Sequence, residues 1–343
     1  MWRVIGQSKA LSTLERGLES GTLPHAHLFV GPSHVGKGTL AVDLAQALNC
    51  LGDNPPCGEC QSCRRIIAGK HADVRIIGLN ADGSSKGTKT RSEIGIDDIR
   101  DLQQSASLPP YEGRCKVFII DGAERLSAEA ANCLLKVLEE PPPSVAMVLL
   151  TCEERNLFPT VISRCRRVEL KPVPVAEVER VLAESRGVDG DKARLLARLS
   201  EGCIGWALAA LTDDNLLAQR TQRLSKLLSL FTAGLGERFD YAAELATQFE
   251  KDRRSGGEVI RLWVGWWRDL MLAKCGCAYA ITNLDYALSI ERWAQTFDLF
   301  QIKNFINALH ESLEQIYRNA NSHLVLETLM LSMPRGGNGA QGL

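Results

Sequence analysis

Apolar residues fall in short dense runs over the first half of the chain and recur at helical spacing over the second. The segments AHLFV (26–30), DVRII (73–77), KVFII (116–120), VAMVLLT (145–151) and RRVEL (166–170) have strand length, and the runs that are not alternating suit strands buried on both faces of a parallel sheet. Between them LAVDLAQALN, IDDIRDLQQSAS and SAEAANCLLKVLEE carry apolar residues three and four apart, and Pro141-Pro142-Pro143 closes the last. This alternation predicts an α/β doubly wound sheet with its ligand site at the carboxyl ends of the strands, where Gly31, Asp121 and Thr151 fall. The polar, glycine-rich segment 79–93 is expected to be a mobile loop.

After Leu170 the pattern changes. A hinge, KPVPV (171–175), leads only to helical segments: a short set to about Leu211 and, past the TDDN turn, a longer set ending near Met333. Residues 334–343, PRGGNGAQGL, are expected to be a disordered tail. In VIRLWVGWWRDLMLAKCGCAYA (259–280), Leu262, Trp266, Leu270 and Ala273 keep helical spacing, so the tryptophans are expected in a core rather than on a partner surface. Cys275 and Cys277 are expected to be buried thiols.

Composition narrows the class. A chain of 343 residues, 45% apolar and 24% charged, is globular material for two or three domains. No apolar run approaches the roughly 18 residues of a membrane helix, and the start reads as a loop and an amphipathic helix rather than a secretory signal, so a cytoplasmic protein is expected. A net charge of −1 supplies no global field for DNA or RNA, so any such contact is local or shared with other subunits.

Three constellations carry chemistry. GPSHVGKGT (31–39) stands between a strand and a helix, where backbone amides of Gly31 to Lys37 and the Lys37 ammonium would cradle phosphates. The next residue is Gly38, where a magnesium-binding hydroxyl belongs, and Thr39 comes one place late. Asp121 ends the strand KVFII and suits a magnesium-bound water, yet Gly122 follows it where hydrolysing proteins place an acid, and Glu124 reads as a solvated side chain. Binding of ATP and magnesium is compatible with these residues, whereas turnover lacks two groups. Thr151 could sense a γ-phosphate, though a threonine ending a strand is unremarkable.

Cys50, Cys57, Cys60 and Cys63 form a C-x6-C-x2-C-x2-C run with no histidine or aspartate in the spacing of an open site, which suits a structural Zn²⁺ held by four thiolates; reduced thiols or a redox pair are the alternative. Arg164, in Ser163-Arg164-Cys165 ahead of a strand, reads from its residues alone as a surface arginine in a salt bridge.

In this order and spacing, GPSHVGKGT, the cysteine quartet, VFIIDGAERLSAEAANCLLKVLEEPP and TVISRCRRVEL resemble the bacterial clamp-loader branch of the AAA+ ATPases, densely to about residue 212 and beyond it by length and helicity. LLKxLEEPP together with SRC is specific to that branch. The resemblance implies an AAA+ P-loop parallel sheet domain over 1–170 with a zinc knuckle at 50–63, a helical lid over 171–212 and an all-α collar domain for oligomerisation over 213–333. It implies as partners the gamma/tau and delta subunits of DNA polymerase III, with the sliding clamp and primed DNA reached through the assembled complex and no membrane contact. The ATP-hydrolysing gamma/tau type has a hydroxyl after Lys37, an acid after Asp121, an arginine where EGCIGWALAAL offers Gly205 and Trp206, and a long carboxyl extension; this sequence has none of them. The pattern is similar to the ring's stator, and it gives Arg164 the role of an arginine finger supplied in trans to a neighbouring ATPase. A motor subunit that hydrolyses ATP itself is the alternative. A stand-alone zinc-dependent nucleic-acid binder is disfavoured, because only Arg64 and Arg65 give the cysteines a basic flank.

Overall fold

The computed structural model describes residues 2–78 and 93–336. The loop expected over 79–93 lies outside them except for its last residue, and of the expected tail only 334–336 are described. Contacts divide the chain into two compact units, Met1–Val178 with Gly202–Trp206, and Glu179–Glu201 with Ala207–Leu343.

In the first unit the strands are β1 (Ala26–Val30), β2 (Val74–Ile77), β3 (Lys116–Asp121), β4 (Val145–Thr151) and β5 (Arg166–Glu169), all parallel in the order β2-β3-β4-β1-β5. Every residue of β1 and of β4 is buried. Alternate residues point to opposite faces. Leu28, Met147 and Leu149 enter one core with Leu134 and Leu138, while Phe29, Val148 and Leu150 enter the other with Leu40 and Leu44. The helices are α1 (Ser8–Glu19), α2 (Lys37–Asn49), α3 (Gln61–Ile67), α4 (Ile96–Ala106), α5 (Ala128–Glu139) and α6 (Pro159–Ile162). A doubly wound sheet is what the alternating pattern predicts.

Local chemistry sets the element ends. Ser127 caps α5 by accepting from the Ala130 amide, and α5 stops at Glu139 ahead of the three prolines. The fully buried Asp43 carboxylate takes the Arg3 amide at 2.7 Å and Arg3 Nε at 2.6 Å, tying the amino-terminal segment to α2. Asp73 accepts the amides of Tyr111, Glu112 and Gly113, and Asn49 those of Arg114 and Cys115, so the turn into β3 leaves none of these N–H groups orphaned.

His27 on β1 is 2% exposed, and burial first, then His25 and Arg166, pulls its pKa from 6.5 to about 4. The folded strand therefore refuses a proton that the unfolded chain accepts. The associated stability is complete above pH 6.5 and is lost on acidification toward pH 4, by roughly 3 kcal/mol. His27→Phe is expected to flatten that part of the pH dependence in urea unfolding between pH 7 and 4.5.

Helices α7 (Val175–Arg186), α8 (Gly190–Leu199) and α9 (Ile204–Thr212) follow the sheet, and the division between units passes through α7 and α9. The second unit also holds α10 (Asp214–Thr232), α11 (Leu235–Lys251), α12 (Arg253–Lys274), α13 (Ala287–Thr296), α14 (Leu299–Tyr317) and α15 (Ser322–Ser332). Trp263, Trp266 and Trp267 are each 0% exposed, as expected of a core. Of the four positions expected on the buried stripe, Trp266 and Leu270 are fully buried while Leu262 and Ala273 are only partly so, and Ile260, Trp263 and Trp267 complete the buried face. Cys275 is exposed and Cys277 half-buried, contrary to expectation, because α12 stops at Lys274 and Gly276, at φ 75°, turns the chain away from the stripe. Among the described residues no helix is long and apolar enough to cross a membrane.

Candidate functional site

The phosphate-type loop follows β1 directly. Val30 lies beside Thr151 of β4, Asp121 beside Leu150, and the Gly31 amide donates to the Thr151 carbonyl at 3.2 Å. The fold thus brings Gly31, Asp121 and Thr151 to one edge of three adjacent strands, where a doubly wound sheet keeps its ligand sites. Gly36 starts α2 with φ 108°, a conformation that side-chain-bearing residues avoid. Gly38 and Thr39 are exposed on the first turn of α2, and Asp121 is exposed at its strand end.

Lys37 is 8% exposed, and its ammonium donates to the carbonyls of Gly31 at 2.6 Å and Pro32 at 2.7 Å and to Cys152 Sγ at 3.3 Å. The Thr151 hydroxyl oxygen accepts the Glu153 amide at 3.0 Å. Cys152, which also meets Ser33 Oγ at 3.3 Å, is a neighbour of the loop that sequence reasoning passed over.

The departures noted in the sequence are built into the backbone. Gly122 has φ 78°, so an acid at this position would sit in a left-handed conformation. The Gly205 amide donates to the His34 carbonyl at 2.9 Å, and a Cβ on Gly205 would come within 2.7 Å of that oxygen. An arginine cannot occupy position 205 while α9 abuts the loop in this way. An acid after Asp121 would therefore be strained, and an arginine at 205 would need α9 to move away from the loop. Glu124 is not the freely solvated acid expected: its Oε2 is shielded and has no hydrogen-bond partner among the described residues.

The four thiols of Cys50, Cys57, Cys60 and Cys63 lie within 4.8 Å of one another and could hold a metal ion. Four sulfurs on a tetrahedral ion with bonds of about 2.3 Å would stand roughly 3.8 Å apart, and Cys57 Sγ and Cys63 Sγ are 3.9 Å apart. Amides point at the sulfurs: Gly52 and Cys57 to Cys50 Sγ at 3.4 Å each, Cys60 to Cys57 Sγ at 3.3 Å, and Cys63 to Cys60 Sγ at 3.4 Å. Such donors favour thiolate over thiol. The Cys60 amide, with that of Glu59, holds Cys57 down to about 6, whereas burial pushes Cys63 up to about 12. Gln46 Nε2 of α2 donates to the Cys63 carbonyl at 3.0 Å, fastening the knuckle to the sheet domain.

Arg164 stands apart from these groups. Arg166 pairs with His27, at the amino end of β1, while the loop leaves the carboxyl end after Val30. At about 3.3 Å per residue the two ends of β1 are roughly 13 Å apart, so Arg164 and the chain's own loop lie at opposite edges of the sheet. Its side chain is 35% exposed and pairs with Glu139 of α5 at 2.5 Å, a partner not identified from the sequence although Glu139 lies in the quoted LLKVLEEPP run.

Residues 6–174 match the family described as DNA polymerase III, delta subunit. The chain is 29% identical over 331 residues to DNA polymerase III subunit delta' of Bacillus subtilis (strain 168), covering 96% of this chain and 97% of that one. It is 38% identical over 218 residues to subunit tau of Escherichia coli (strain K12), covering 62% of this chain and 32% of tau, so it spans about a third of that relative's length. A DNA polymerase III gamma subunit-related protein from Thermotoga maritima is 19% identical, with 94% of this chain and 97% of that chain covered at a TM-score of 0.41. The family model over the sheet domain and the likeness to a delta' protein over nearly the whole chain both support a clamp-loader subunit of DNA polymerase III.

Proposed function

We propose that this chain is the delta-prime, or stator, subunit of the clamp loader: it helps to load the sliding clamp onto primed DNA and lends Arg164 to the ATP site of a neighbouring gamma/tau subunit. One observation carries the reading. Arg164 is exposed at the sheet edge opposite the chain's own phosphate loop, so its guanidinium can serve a nucleotide only on another subunit. End-to-end likeness to a delta' protein, against partial likeness to tau, favours the stator over the motor.

In this reading the sheet domain spans 1–170, the lid 171–212 and the collar 213–333, and the collar joins gamma/tau and delta in a cytoplasmic hetero-oligomer. The four cysteines hold a structural Zn²⁺ that folds the 50–63 outgrowth and takes no part in catalysis. The loop formed by Gly31, Gly36, Lys37, Gly38 and Thr39, with Asp121 and Thr151, is kept as architecture. Its backbone is closed against α9, and its lysine is engaged by the loop's own carbonyls.

The test is hydrolysis by the assembled loader in the presence of clamp and primed DNA. Arg164→Ala is expected to leave assembly intact and to slow turnover at the adjoining ATP site by about 10³-fold, the low end for an arginine finger. The chain purified alone is expected to hydrolyse no ATP; magnesium-dependent turnover abolished by Lys37→Ala would establish the motor instead.

A further inference from the structure

The two segments that mark the branch, LLKVLEEPP and SRC, meet in space, and we infer that Glu139 is a positioning residue for the Arg164 guanidinium. The inference rests on the stator reading above. Glu139 is the last residue of α5, where the negative end of the helix dipole disfavours a carboxylate, and the only basic residue of that turn is Lys136. Helix geometry thus gives no reason for an acid here. The reason lies across the gap to α6: Glu139 Oε1 is 2.5 Å from Arg164 Nη2, while Arg164 Nη1 donates to the Thr160 carbonyl at 3.0 Å and to Ser163 Oγ at 3.3 Å.

Both ends of this bridge are fixed. The three prolines after Glu140 restrict the chain just beyond the carboxylate. Pro159 opens α6, the Arg164 amide donates to the Val161 carbonyl at 3.2 Å, and Val161 packs into the same core as Val137 and Leu138 of α5. A guanidinium has five N–H donors in a rigid plane. With Nη1 and one side of Nη2 engaged by its own chain, the plane is set, and Nε has no partner among the described residues. An edge presented in this way suits a phosphate oxygen. A half-exposed ion pair adds little stability, so Glu139 matters through orientation, the part of the barrier that a loose arginine would have to meet at each turnover.

Loaders carrying Arg164→Ala, Glu139→Ala or both are compared with the unaltered assembly, reading kcat and KM for ATP at the adjoining site. Glu139→Ala is expected to lower kcat about tenfold with KM and assembly unchanged, and to add nothing once Arg164 is alanine. Unchanged or faster turnover in Glu139→Ala, a changed KM, or a loss that persists in the Arg164→Ala background would overturn the inference while leaving the stator reading in place. Unchanged turnover in Arg164→Ala would instead remove the stator reading itself.

Discussion

Arg238→Met is expected to destabilise the helical unit by roughly 3–4 kcal/mol. Arg238 is 1% exposed, and no carboxylate is among its hydrogen-bond partners. It donates instead to carbonyls at two helix ends: Nε to Leu230 at 3.0 Å and Nη2 to Phe231 at 3.3 Å, in the last turn of α10, and Nη1 to Met330 at 3.4 Å and Met333 at 2.8 Å, at the end of α15. The carbonyl ends of two helix dipoles converge on one cation, which satisfies acceptors that a helix cannot satisfy internally. Methionine would fill much of the volume and take the guanidinium donors from the Leu230, Met330 and Met333 oxygens, while the Phe231 oxygen keeps the Gly336 amide at 3.0 Å. Lysine would restore the charge but at most three donors from a single point, and should recover about half of the loss. Urea unfolding followed by tryptophan fluorescence reads the right region, because Trp263, Trp266 and Trp267 lie in the same core. A loss below about 1 kcal/mol would mean that water serves these carbonyls as well as arginine does.

Loss of the zinc proposed for the cysteine knuckle is the other large expected effect. Structural zinc binding to peptides of this kind is worth about 10–16 kcal/mol at neutral pH, and most of it appears as folding free energy. One zinc per chain is expected by elemental analysis under reducing conditions. Cys63→Ser should abolish it and open 50–63 to proteolysis, and through the Gln46 contact it should also loosen the end of α2. The sheet should survive, since both of its cores are built chiefly from β1, β3, β4 and the covering helices. Purified chain that carries no metal and yet resists cleavage within the knuckle would show that the four thiols fold the outgrowth unaided.

The sheet was legible in the sequence because buried parallel strands need dense apolar runs: VAMVLLT is β4 residue for residue, and AHLFV is β1. The cysteine spacing gave the cluster for a similar reason, since four sulfurs within fourteen positions have few ways to avoid one another. The phosphate-type loop, Asp121 and Thr151 were placed together because strand ends in a parallel sheet share an edge. Contacts between segments far apart in the chain were not legible. Nothing in the spacing pairs Glu139 with Arg164, sets Gly205 against His34 or brings Cys152 to Lys37. Glu139 left the one trace that could have been used, a carboxylate at the disfavoured end of a helix. The buried face of α12 was read correctly at Trp266 and Leu270 and not at Leu262 and Ala273, because an apolar stripe has several equally regular readings when three tryptophans crowd five residues.

The most direct measurement is single-turnover ATP hydrolysis by loaders that differ only in this chain, one carrying Arg164→Ala and the other Lys37→Ala. If the chain gives its arginine outward and keeps its own loop as architecture, the first substitution slows hydrolysis by about 10³-fold at the adjoining site and the second leaves the rate unchanged. Unaltered hydrolysis with Arg164→Ala, together with a loss in Lys37→Ala, would identify a motor subunit and contradict the stator reading.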